Sequence, residues 1–431
     1  MTLAQETQYM PRLVDKELED GLMTFGAVQI DGPKWCGKTW SALRVARSDI
    51  RLDDASSAEL VSADLSIALI GDRPHLIDEW QRVPAVRDEV RRAVDSSGSL
   101  PGSFILTGSS APPANGYYHT GAGRIGSIRM RPMSLREQGV SSGEVSLTRL
   151  FNGEFEPCAQ RKAFGLSLCA EAICRGGWPA TIHRPFEYAA RVPGQYVESI
   201  CSENARRDGR SPDLVRAAIR SLARNNASAA KLSTIAADLL PDDGTSREAS
   251  NKTVASYLAW LKDMFLYDEL PGWAPPIKAR ERLRVKPKRY FADPSLAAAA
   301  LGASPERLLR ESQLMGDLFE NLVVRDVSTY ASAMRQVMPP TLHYYRDSAG
   351  HEVDLVIELA DGRWGAIEVK LGENKVDEAS AALLHLQRAA TSNSMAQQPE
   401  PSFLMVLVAN GTYAHRTSDG IIVCPVSLLG E

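Results

Sequence analysis

The sequence is poor in cysteine and lacks the cysteine spacings of a zinc or disulfide framework. Six cysteines are scattered along 431 residues, with no C-x-x-C pair and no neighbouring histidines. Zinc ribbons and disulfide-stapled folds depend on closely spaced cysteines, so the sequence argues against both classes. We therefore expect free thiols, either buried or at the surface.

Long apolar runs and an excess of charge of one sign are also missing. No run approaches the roughly 18 residues that a membrane-spanning helix needs, and the first residues (MTLAQETQYMPRLVDKELED) are polar and acidic rather than signal-like. We therefore expect a cytoplasmic protein without membrane contact. The formal net charge of -4 argues against coating nucleic acid by bulk charge, although a local basic patch can still bind it.

Size and periodicity predict three domains of α/β and helical character. A chain of 431 residues exceeds one ordinary core. Short apolar strands alternate with helices in residues 1–150, which favours a parallel α/β sheet. Residues 151–304 are mainly helical and end in two strand-like runs, the outline of a winged helix. Residues 305–431 return to an α/β pattern.

A phosphate-binding motif follows the first apolar strand. The sequence GPKWCGKT fits G-x-x-x-x-G-K-[ST], and it lies between a strand (FGAVQID) and a helix (WSALRVARS) as the motif requires. Backbone amides and the positive helix end bind phosphates in such loops, the lysine reaches the β- and γ-phosphates, and the threonine ligates magnesium. We therefore predict that ATP and Mg2+ bind at Gly32, Pro33, Lys34, Trp35, Cys36, Gly37, Lys38 and Thr39.

Two later strands end in the polar residues that such a site needs, at the strand ends where open α/β sheets bind ligands. HLIDEW places Asp78 to hold Mg2+ through water and Glu79 to polarise an attacking water. FILTGSS places Thr107 and Ser109 where a γ-phosphate sensor would lie. A P-loop kinase is the alternative, but the acidic pair favours water as the acceptor. Arg124 is either a solvated charge or an arginine finger for a neighbouring subunit in a homo-oligomer.

Motifs along nearly the whole chain resemble one family. They run in order from residue 32 to residue 372: GPKWCGKT, LIDEWQ, ILTGSS, GRI with RPMSLRE, RGGWP, TVASYLAWLKDMFLYDELPGW, KRYFADPSLAAAALG, GDLFENLV, YYRDSAGHEVDLVIE and AIEVKLG. These stretches resemble prokaryotic AAA-type ATPases that carry a C-terminal domain of formerly unknown function with a PD-(D/E)xK nuclease-like fold. The resemblance implies an ATPase core, a winged-helix middle and a nuclease-like end, without a settled biological role.

The carboxylates of the predicted C-terminal strands indicate whether this part of the chain could hold the metal ion that a nuclease needs. Asp354 lies in HEVDLVIEL, and Glu368 and Lys370 share one strand face because they are two residues apart in AIEVK. With Glu320 from an apolar helix, Asp354 and Glu368 could hold Mg2+ through oxygen ligands. Lys370 would then orient a water or neutralise developing charge. A retained site that only binds, and a solvated salt-bridge face, are the alternatives.

A basic stripe precedes the last domain. Cations occupy every second position at Lys278, Arg280, Arg282, Arg284, Lys286 and Lys288. On a strand they would share one face and suit DNA phosphates, whereas a solvated edge strand is the competing interpretation. Three hypotheses follow: an ATP-dependent enzyme acting on nucleic acid, a nucleotide-gated DNA-binding or regulatory protein whose carboxylates do not cut, and a protein-assembly factor that uses the stripe as a partner surface.

Overall fold

The computed structural model describes residues 9–111, 121–239, 250–275, 278–334, 336, 338–393 and 400–431. The chain divides into two compact units. The first unit consists of Met1–Pro132, Trp178–Ala180 and Trp260–Leu266. The second unit consists of Met133–Gly177, Thr181–Ala259 and Tyr267–Glu431. The helical and the C-terminal α/β segments therefore lie in one compact unit.

A parallel sheet forms the centre of the first unit, as the alternation of strands and helices predicts. Its strands are β1 (Ala27–Asp31), β2 (Ser48–Arg51), β3 (His75–Asp78), β4 (Phe104–Gly108) and β5 (Ile125–Arg129). Their order is β2–β3–β4–β1–β5, and every pairing is parallel. The helices are α1 (Val14–Thr24), α2 (Lys38–Val45), α3 (Ala55–Ala63) and α4 (Val86–Ser96). Strands β2 and β5 were not predicted, because their short sequences mix polar and apolar residues.

Alternate strand residues of this sheet contribute to two separate cores. Ala27 packs in one core with Val86 of α4, whereas the next residue, Val28, packs in the other with Leu18 of α1. Successive strand residues point to opposite faces, so both faces of the sheet are covered. The ends of the strands are therefore the natural place for polar chemistry in this unit.

The second unit begins with a mainly helical region. Two short strands lie in it, β6 (Val145–Ser146) and β7 (Cys158–Ala159). Its helices are α5 (Leu147–Phe151), α6 (Leu166–Arg175), α7 (Phe186–Ala189), α8 (Arg191–Ser199), α9 (Ala205–Arg207), α10 (Pro212–Arg224), α11 (Leu232–Asp238) and α12 (Asn251–Asp263), of which the last enters the first unit at Trp260. After α12, strand β8 (Tyr267–Leu270) is followed by β9 (Gly272–Trp273), the short helix α13 (Glu281–Arg284) and β10 (Lys288–Phe291). Strands β8 and β10 pair antiparallel.

The basic stripe is not the strand that its alternation predicts. Arg282 lies in α13, and β10 begins only at Lys288. The Arg282 guanidinium makes a bidentate ion pair with Glu358 at 2.6 and 2.8 Å. Lys288 is 3% exposed. The prediction of one charged strand face is wrong, because carboxylates from later parts of the chain bind two of the six cations and local alternation contains no information about them.

A mixed sheet dominates the rest of the second unit. Its further strands are β11 (Thr341–Arg346), β12 (Glu352–Glu358), β13 (Trp364–Gly372), β14 (Phe403–Asn410), β15 (Tyr413–Arg416) and β16 (Ile422–Pro425), while β17 (Leu429–Gly430) pairs with β6. The strand order is β7–β15–β16–β14–β13–β12–β11–β9. These strands, β15 and β16 included, lie in the part of the chain for which the sequence predicts an α/β pattern.

Four further helices belong to this part of the second unit. They are α14 (Pro294–Leu301), α15 (Pro305–Arg310), α16 (Ser312–Ala333) and α17 (Val376–Thr391). Helix α17 buries Leu383 against Val356 and Val406 of the sheet, and α16 contacts β12 and β13. The apolar residues that α17 buries, Ala379, Leu383, Leu386 and Ala390, recur at helical spacing. In the described part of the chain, no helix has the length and apolar character to cross a membrane.

A buried ion network ties α16 to two loops of the second unit. The Arg325 guanidinium donates to Asp293 Oδ2 and to Asp326 Oδ1, each at 2.8 Å. The backbone amide of Gly177 donates to Asp293, and that of Leu135 donates to Asp326, both at 2.9 Å. All three charged side chains are almost completely buried. The network therefore joins parts of the chain that lie more than a hundred residues apart.

Candidate functional site

Three strands of the first unit end at one edge of the sheet, next to the phosphate-binding motif. In the strand register, Asp31 of β1 lies opposite Gly108 of β4, and Asp78 of β3 lies opposite Thr107 of β4. The motif leaves β1 and leads into α2, which begins at Lys38. The parallel arrangement thus brings the P-loop, the acidic pair and the Thr107–Ser109 segment to the same edge.

The backbone of the P-loop requires glycine at two positions. A Cβ atom at Gly32 would lie 2.2 Å from the carbonyl oxygen of Met130. Gly37 has a φ of 105°, a backbone conformation that residues with a side chain rarely adopt. The Lys38 ammonium lies inside the loop and donates to the carbonyl oxygens of Gly32 at 3.0 Å and Pro33 at 2.9 Å. The loop therefore curls around this buried cation.

Asp78 forms hydrogen bonds with two hydroxyl groups at the same edge. Thr39 Oγ1 donates to Asp78 Oδ1 at 2.9 Å, and Thr107 Oγ1 donates to the same oxygen. Burial raises the pKa of Asp78, and the two hydroxyl groups partly offset this. An adjacent hydroxyl and carboxylate form an all-oxygen donor set, which fits Mg2+. Thr107 is completely buried, and in this structure it orients Asp78.

Glu79 has an unusual backbone conformation and an oriented carboxylate. Its φ of 54° lies in the left-handed region, which costs a non-glycine residue on the order of 1 kcal/mol. Ser109 Oγ donates to Glu79 Oε2 at 2.8 Å, and the Gln81 side-chain amide donates to the same oxygen. The carboxylate is therefore held in one position beside the P-loop edge, with one oxygen engaged.

The remaining residues of the P-loop differ in exposure. Cys36 is completely buried, and its carbonyl oxygen accepts a hydrogen bond from the Arg12 guanidinium at 2.6 Å. Trp35 has a φ of 63° and is 51% exposed at the tip of the loop, next to the half-buried Lys34. The bulky side chains of the motif therefore point to different environments, and neither displaces Lys38 from the loop.

Arg124 lies at the opposite edge of the sheet from this chain's own P-loop. It immediately precedes β5, and its carbonyl oxygen accepts from the amide of Ala27, the first residue of β1. Its guanidinium donates to Asp95 at 2.8 Å and is about half exposed. Contact between Arg124 and the nucleotide of a neighbouring subunit, and the homo-oligomer that it requires, stay predictions.

Two residues near the P-loop were missed from the sequence. Arg12 is buried and donates to the carbonyl oxygens of Cys36 and, at 2.8 Å, Arg131, so it holds the loop against the segment after β5. No local sequence pattern indicates this role of Arg12, because both of its partners are distant in sequence. Asp31 ends β1, and burial raises the pKa of its carboxyl. Its position directly before the motif is a signal that could have identified it.

The four predicted C-terminal residues lie close together in the second unit. Asp354 Oδ2 accepts from the amide of Val369 at 2.9 Å, and Glu368 Oε2 accepts from the amide of Asp354 at 3.2 Å. Lys370 Nζ donates to Glu368 Oε1 at 2.9 Å. Burial, together with the charge of Asp354, raises the pKa of Glu368. Strand placement therefore produces a compact cluster of charges, as the alternation in β12 and β13 predicts.

A lysine that was not assigned to this cluster lies inside it. Lys288 Nζ is 2.9 Å from Glu320 Oε1, 2.6 Å from Glu352 Oε1 and 3.4 Å from Asp354 Oδ1. The Tyr290 hydroxyl also donates to Glu320, at 2.6 Å. Burial lowers the pKa of Lys288, but the surrounding carboxylates outweigh it and raise that pKa well above its usual value. Lys288 is therefore a permanent cation within the cluster.

The carboxylates as they stand do not fit a shared divalent ion. The Lys288 ammonium binds both Glu320 and Asp354, two of the three predicted ligands. Among the described residues, one group of histidines, cysteines and acids has all its ligand atoms within 4.8 Å of one another, and it contains none of these three. Binding of Mg2+ by Glu320, Asp354 and Glu368 stays a prediction, and the position of Lys288 argues against it.

Three segments of the chain match known protein families. Residues 24–138 match a family described as an AAA domain. The N-terminal part of the chain is therefore AAA P-loop ATPase-like. Residues 167–307 match a domain of unknown function (DUF8612), and residues 315–429 match another domain of unknown function (DUF4143). The segment that matches the AAA family therefore contains the P-loop, both acidic residues and Thr107, and the carboxylate cluster lies mainly in the DUF4143 match.

Individual relatives are distant. An uncharacterized protein of Mycobacterium bovis and one of Mycobacterium tuberculosis are each 25% identical to the chain over 351 residues, which is 80% of this chain and 70% of the relative. Among solved structures, a Walker-type ATPase of Pyrococcus abyssi is 15% identical with a TM-score of 0.43, covering 67% of this chain and 94% of that chain.

Proposed function

We propose that the protein binds ATP with Mg2+ and hydrolyses the ATP in its AAA domain. The observation that carries this proposal is the convergence of Lys38, Thr39, Asp78 and Glu79 at one edge of a parallel sheet. A phosphate-binding loop alone also suits other nucleotide enzymes. The oriented carboxylate of Glu79 beside it favours hydrolysis.

Each of these residues has a role that follows from its geometry. Lys38 would donate to the β- and γ-phosphates, because its ammonium already lies inside the loop. Thr39 and Asp78 would hold Mg2+, which when bound neutralises charge on the phosphates. Glu79 would accept a proton from the attacking water, and the hydrogen bonds from Ser109 and Gln81 fix the direction of its carboxylate.

A phosphotransferase that uses the same loop is the alternative. In that case the acceptor would be a hydroxyl group of a substrate, and Glu79 would activate it instead of water. Product analysis separates the two: free phosphate forms in the absence of any acceptor only if water attacks.

The experiment measures phosphate release and ATP binding by the purified full-length protein with Mg2+. Lys38→Ala should abolish both, because the loop loses its cation. Glu79→Gln should keep ATP binding and lower turnover by about 100-fold or more, the usual size of a lost general base. Lys16→Ala, an exposed lysine on α1, is the matched control and should behave like the parent protein. Hydrolysis at the parental rate in both site variants would overturn the proposal.

We further propose that the second unit binds nucleic acid, with DNA as the first candidate. Helices α10 to α12 followed by the β8–β10 pair have the outline of a winged helix. Lys278, Arg280, Arg284 and Lys286 remain exposed. Lys286 also lines a cleft beside Lys231 and Arg289. Exposed cations beside a cleft suit phosphate contacts better than contacts to bases.

Salt dependence of DNA binding tests this assignment. The double variant Arg284→Glu, Lys286→Glu should weaken duplex binding and reduce the slope of log K against log salt by about 1 per lost phosphate contact. Lys375→Glu, an exposed lysine elsewhere in the second unit, is the control. If the slope is unchanged in the double variant, Arg284 and Lys286 do not contact DNA phosphates. If the parent protein does not bind DNA at all, this result favours a protein partner for the exposed cations.

The carboxylate cluster favours a binding role for the nuclease-like part over cleavage. Lys288 bridges Glu320 and Asp354, so a metal-dependent reaction would first have to displace a buried ammonium. The function that fits this best is a nucleotide-gated DNA-binding or regulatory protein with a silent nuclease-like domain. Plasmid nicking that depends on Mn2+ or Mg2+ and disappears in Asp354→Ala would instead support an ATP-dependent nuclease.

A further inference from the structure

A cluster of two imidazoles and one carboxylate lies in the second unit, outside every site discussed above. Asp347 directly follows β11, His351 directly precedes β12, and His385 lies on α17. Their ligand atoms all lie within 4.8 Å of one another. The turn between two strands and a helix that packs on the sheet therefore bring three metal-binding side chains together, although His385 is distant in sequence.

The separations match those of ligands on one small ion. His351 Nδ1 lies 3.0 Å from Asp347 Oδ2, and His385 Nε2 lies 2.9 Å from the same oxygen. Two donor atoms that are each about 2.0–2.1 Å from a shared Zn2+ are roughly 3 Å apart at the angles of common coordination geometries. Small shifts of the side chains would therefore place an ion among the three donors.

The carboxylate is held in position by the turn itself. The backbone amides of Ala349 and His351 both donate to Asp347 Oδ1 at 2.9 Å, and the Asp347 amide donates to the carbonyl oxygen of His351 at 3.0 Å. Oδ1 is thus occupied by backbone, and Oδ2 is presented to both imidazoles. Fixed outer contacts of this kind orient ligands in known metal sites.

The two imidazole rings are also arranged relative to each other. Their centroids are 3.9 Å apart and their planes differ by 25°. The stacked rings turn Nδ1 of His351 and Nε2 of His385 towards the same carboxylate oxygen. The arrangement is more specific than a chance meeting of exposed charges, since the β11–β12 turn contributes two donors and α17 contributes the third.

We propose that Asp347, His351 and His385 bind a first-row transition-metal ion, with Zn2+ as the reference ion. Imidazole donors suit Zn2+, Ni2+ or Cu2+, whereas Mg2+ and Ca2+ prefer oxygen donors alone. Three protein ligands leave at least one coordination position for water or another molecule. The ion would link the β11–β12 turn to α17, next to the strand that carries Glu352 and Asp354.

The test is Zn2+ and Co2+ binding to the full-length protein without nucleotide, by calorimetry and by the visible absorption of Co2+. The parent protein should bind one equivalent that is lost in His351→Gln and in His385→Gln, with affinity reduced more than about tenfold in each. The control is His183→Gln, an exposed histidine outside the cluster. This control should bind like the parent.

Two outcomes would overturn the proposal. One is a parent protein that binds no more Zn2+ than the double variant His351→Gln, His385→Gln. The other is unchanged affinity in both single variants, which would assign the bound ion to another group. If a histidine variant folds poorly, Asp347→Asn changes one ligand atom without changing shape. Thermal stabilisation by Zn2+ in the parent, absent in Asp347→Asn, then gives the same decision.

Discussion

Replacing Lys288 tests whether an internal ammonium takes the place of a metal ion in the carboxylate cluster. In Lys288→Met the hydrocarbon stem is kept and the charge is removed from the reach of Glu320, Glu352 and Asp354. Lys288 is only 3% exposed, so water cannot replace the lost contacts. Breaking such a buried pair costs about 3–5 kcal/mol of the free energy of unfolding. We expect a loss in this range in the second unit at neutral pH.

The same variant should gain affinity for divalent cations. Without the ammonium, Glu320 and Asp354 lose their shared cation, and a hard divalent cation can take its place among these oxygen donors. Mn2+ should therefore stabilise Lys288→Met but not the parent protein, by about 2.7 kcal/mol when its concentration is 100 times the Kd. The assay is chemical unfolding with and without Mn2+, together with Mn2+ binding followed by electron paramagnetic resonance in the absence of nucleotide.

An exposed lysine of the same unit, Lys375, provides the control for Lys288→Met. Lys375→Met removes an exposed lysine of the same unit and should change the free energy of unfolding by less than about 1 kcal/mol. Adding Asp354→Asn to Lys288→Met should abolish the gain in Mn2+ binding. Equal Mn2+ binding at this cluster in the parent and in Lys288→Met would refute the reasoning, because the ammonium would then not exclude the ion.

Two further predictions concern stability. Burial raises the pKa of Glu17 from 4.5 to about 7. Because the folded state holds this proton more tightly than the unfolded state does, the free energy of unfolding falls as the pH rises from 4.5 to about 7. Glu17→Gln should flatten the decline and stabilise the protein at about pH 8, by at most about 3 kcal/mol; a decline as steep as in the parent would contradict this. Arg325→Met should cost about 3–5 kcal/mol in chemical unfolding, because Asp293 and Asp326 stay buried without their cation. Arg307→Met, at a half-exposed ion pair, is its control, and equal losses in both would refute the role of burial.

Local patterns sufficed for the elements that carry the P-loop. The strand before Gly32, the helix after it, and the acidic pair at the end of HLID are all encoded within a few residues. Because the strands pair parallel, their carboxyl ends lie at one edge of the sheet, and no long-range sequence signal is needed to predict this. The C-terminal carboxylates were also found from their alternation, because Glu368 and Lys370 lie on one strand face.

The basic stripe shows where local patterns fail. Its alternation is identical to that of a strand, yet Arg282 forms an ion pair with Glu358, 76 residues later in the chain. Lys288 likewise meets Glu320 and Asp354 only after the sheet and α16 have packed. Alternation reports which side chains share a face, but it does not report which distant charges that face will meet.

The sequence by itself determined the phosphate-binding loop, its acidic partners and most of the strands, because these depend on torsions and periodicities of neighbouring residues. Tertiary structure decided that Arg12 braces the loop, that Lys288 is the cation of the carboxylate cluster, and that His385 joins Asp347 and His351. Each of these depends on contacts between residues that are distant in the chain. Such contacts form when apolar faces are buried, and no local pattern records which polar groups will then be enclosed together.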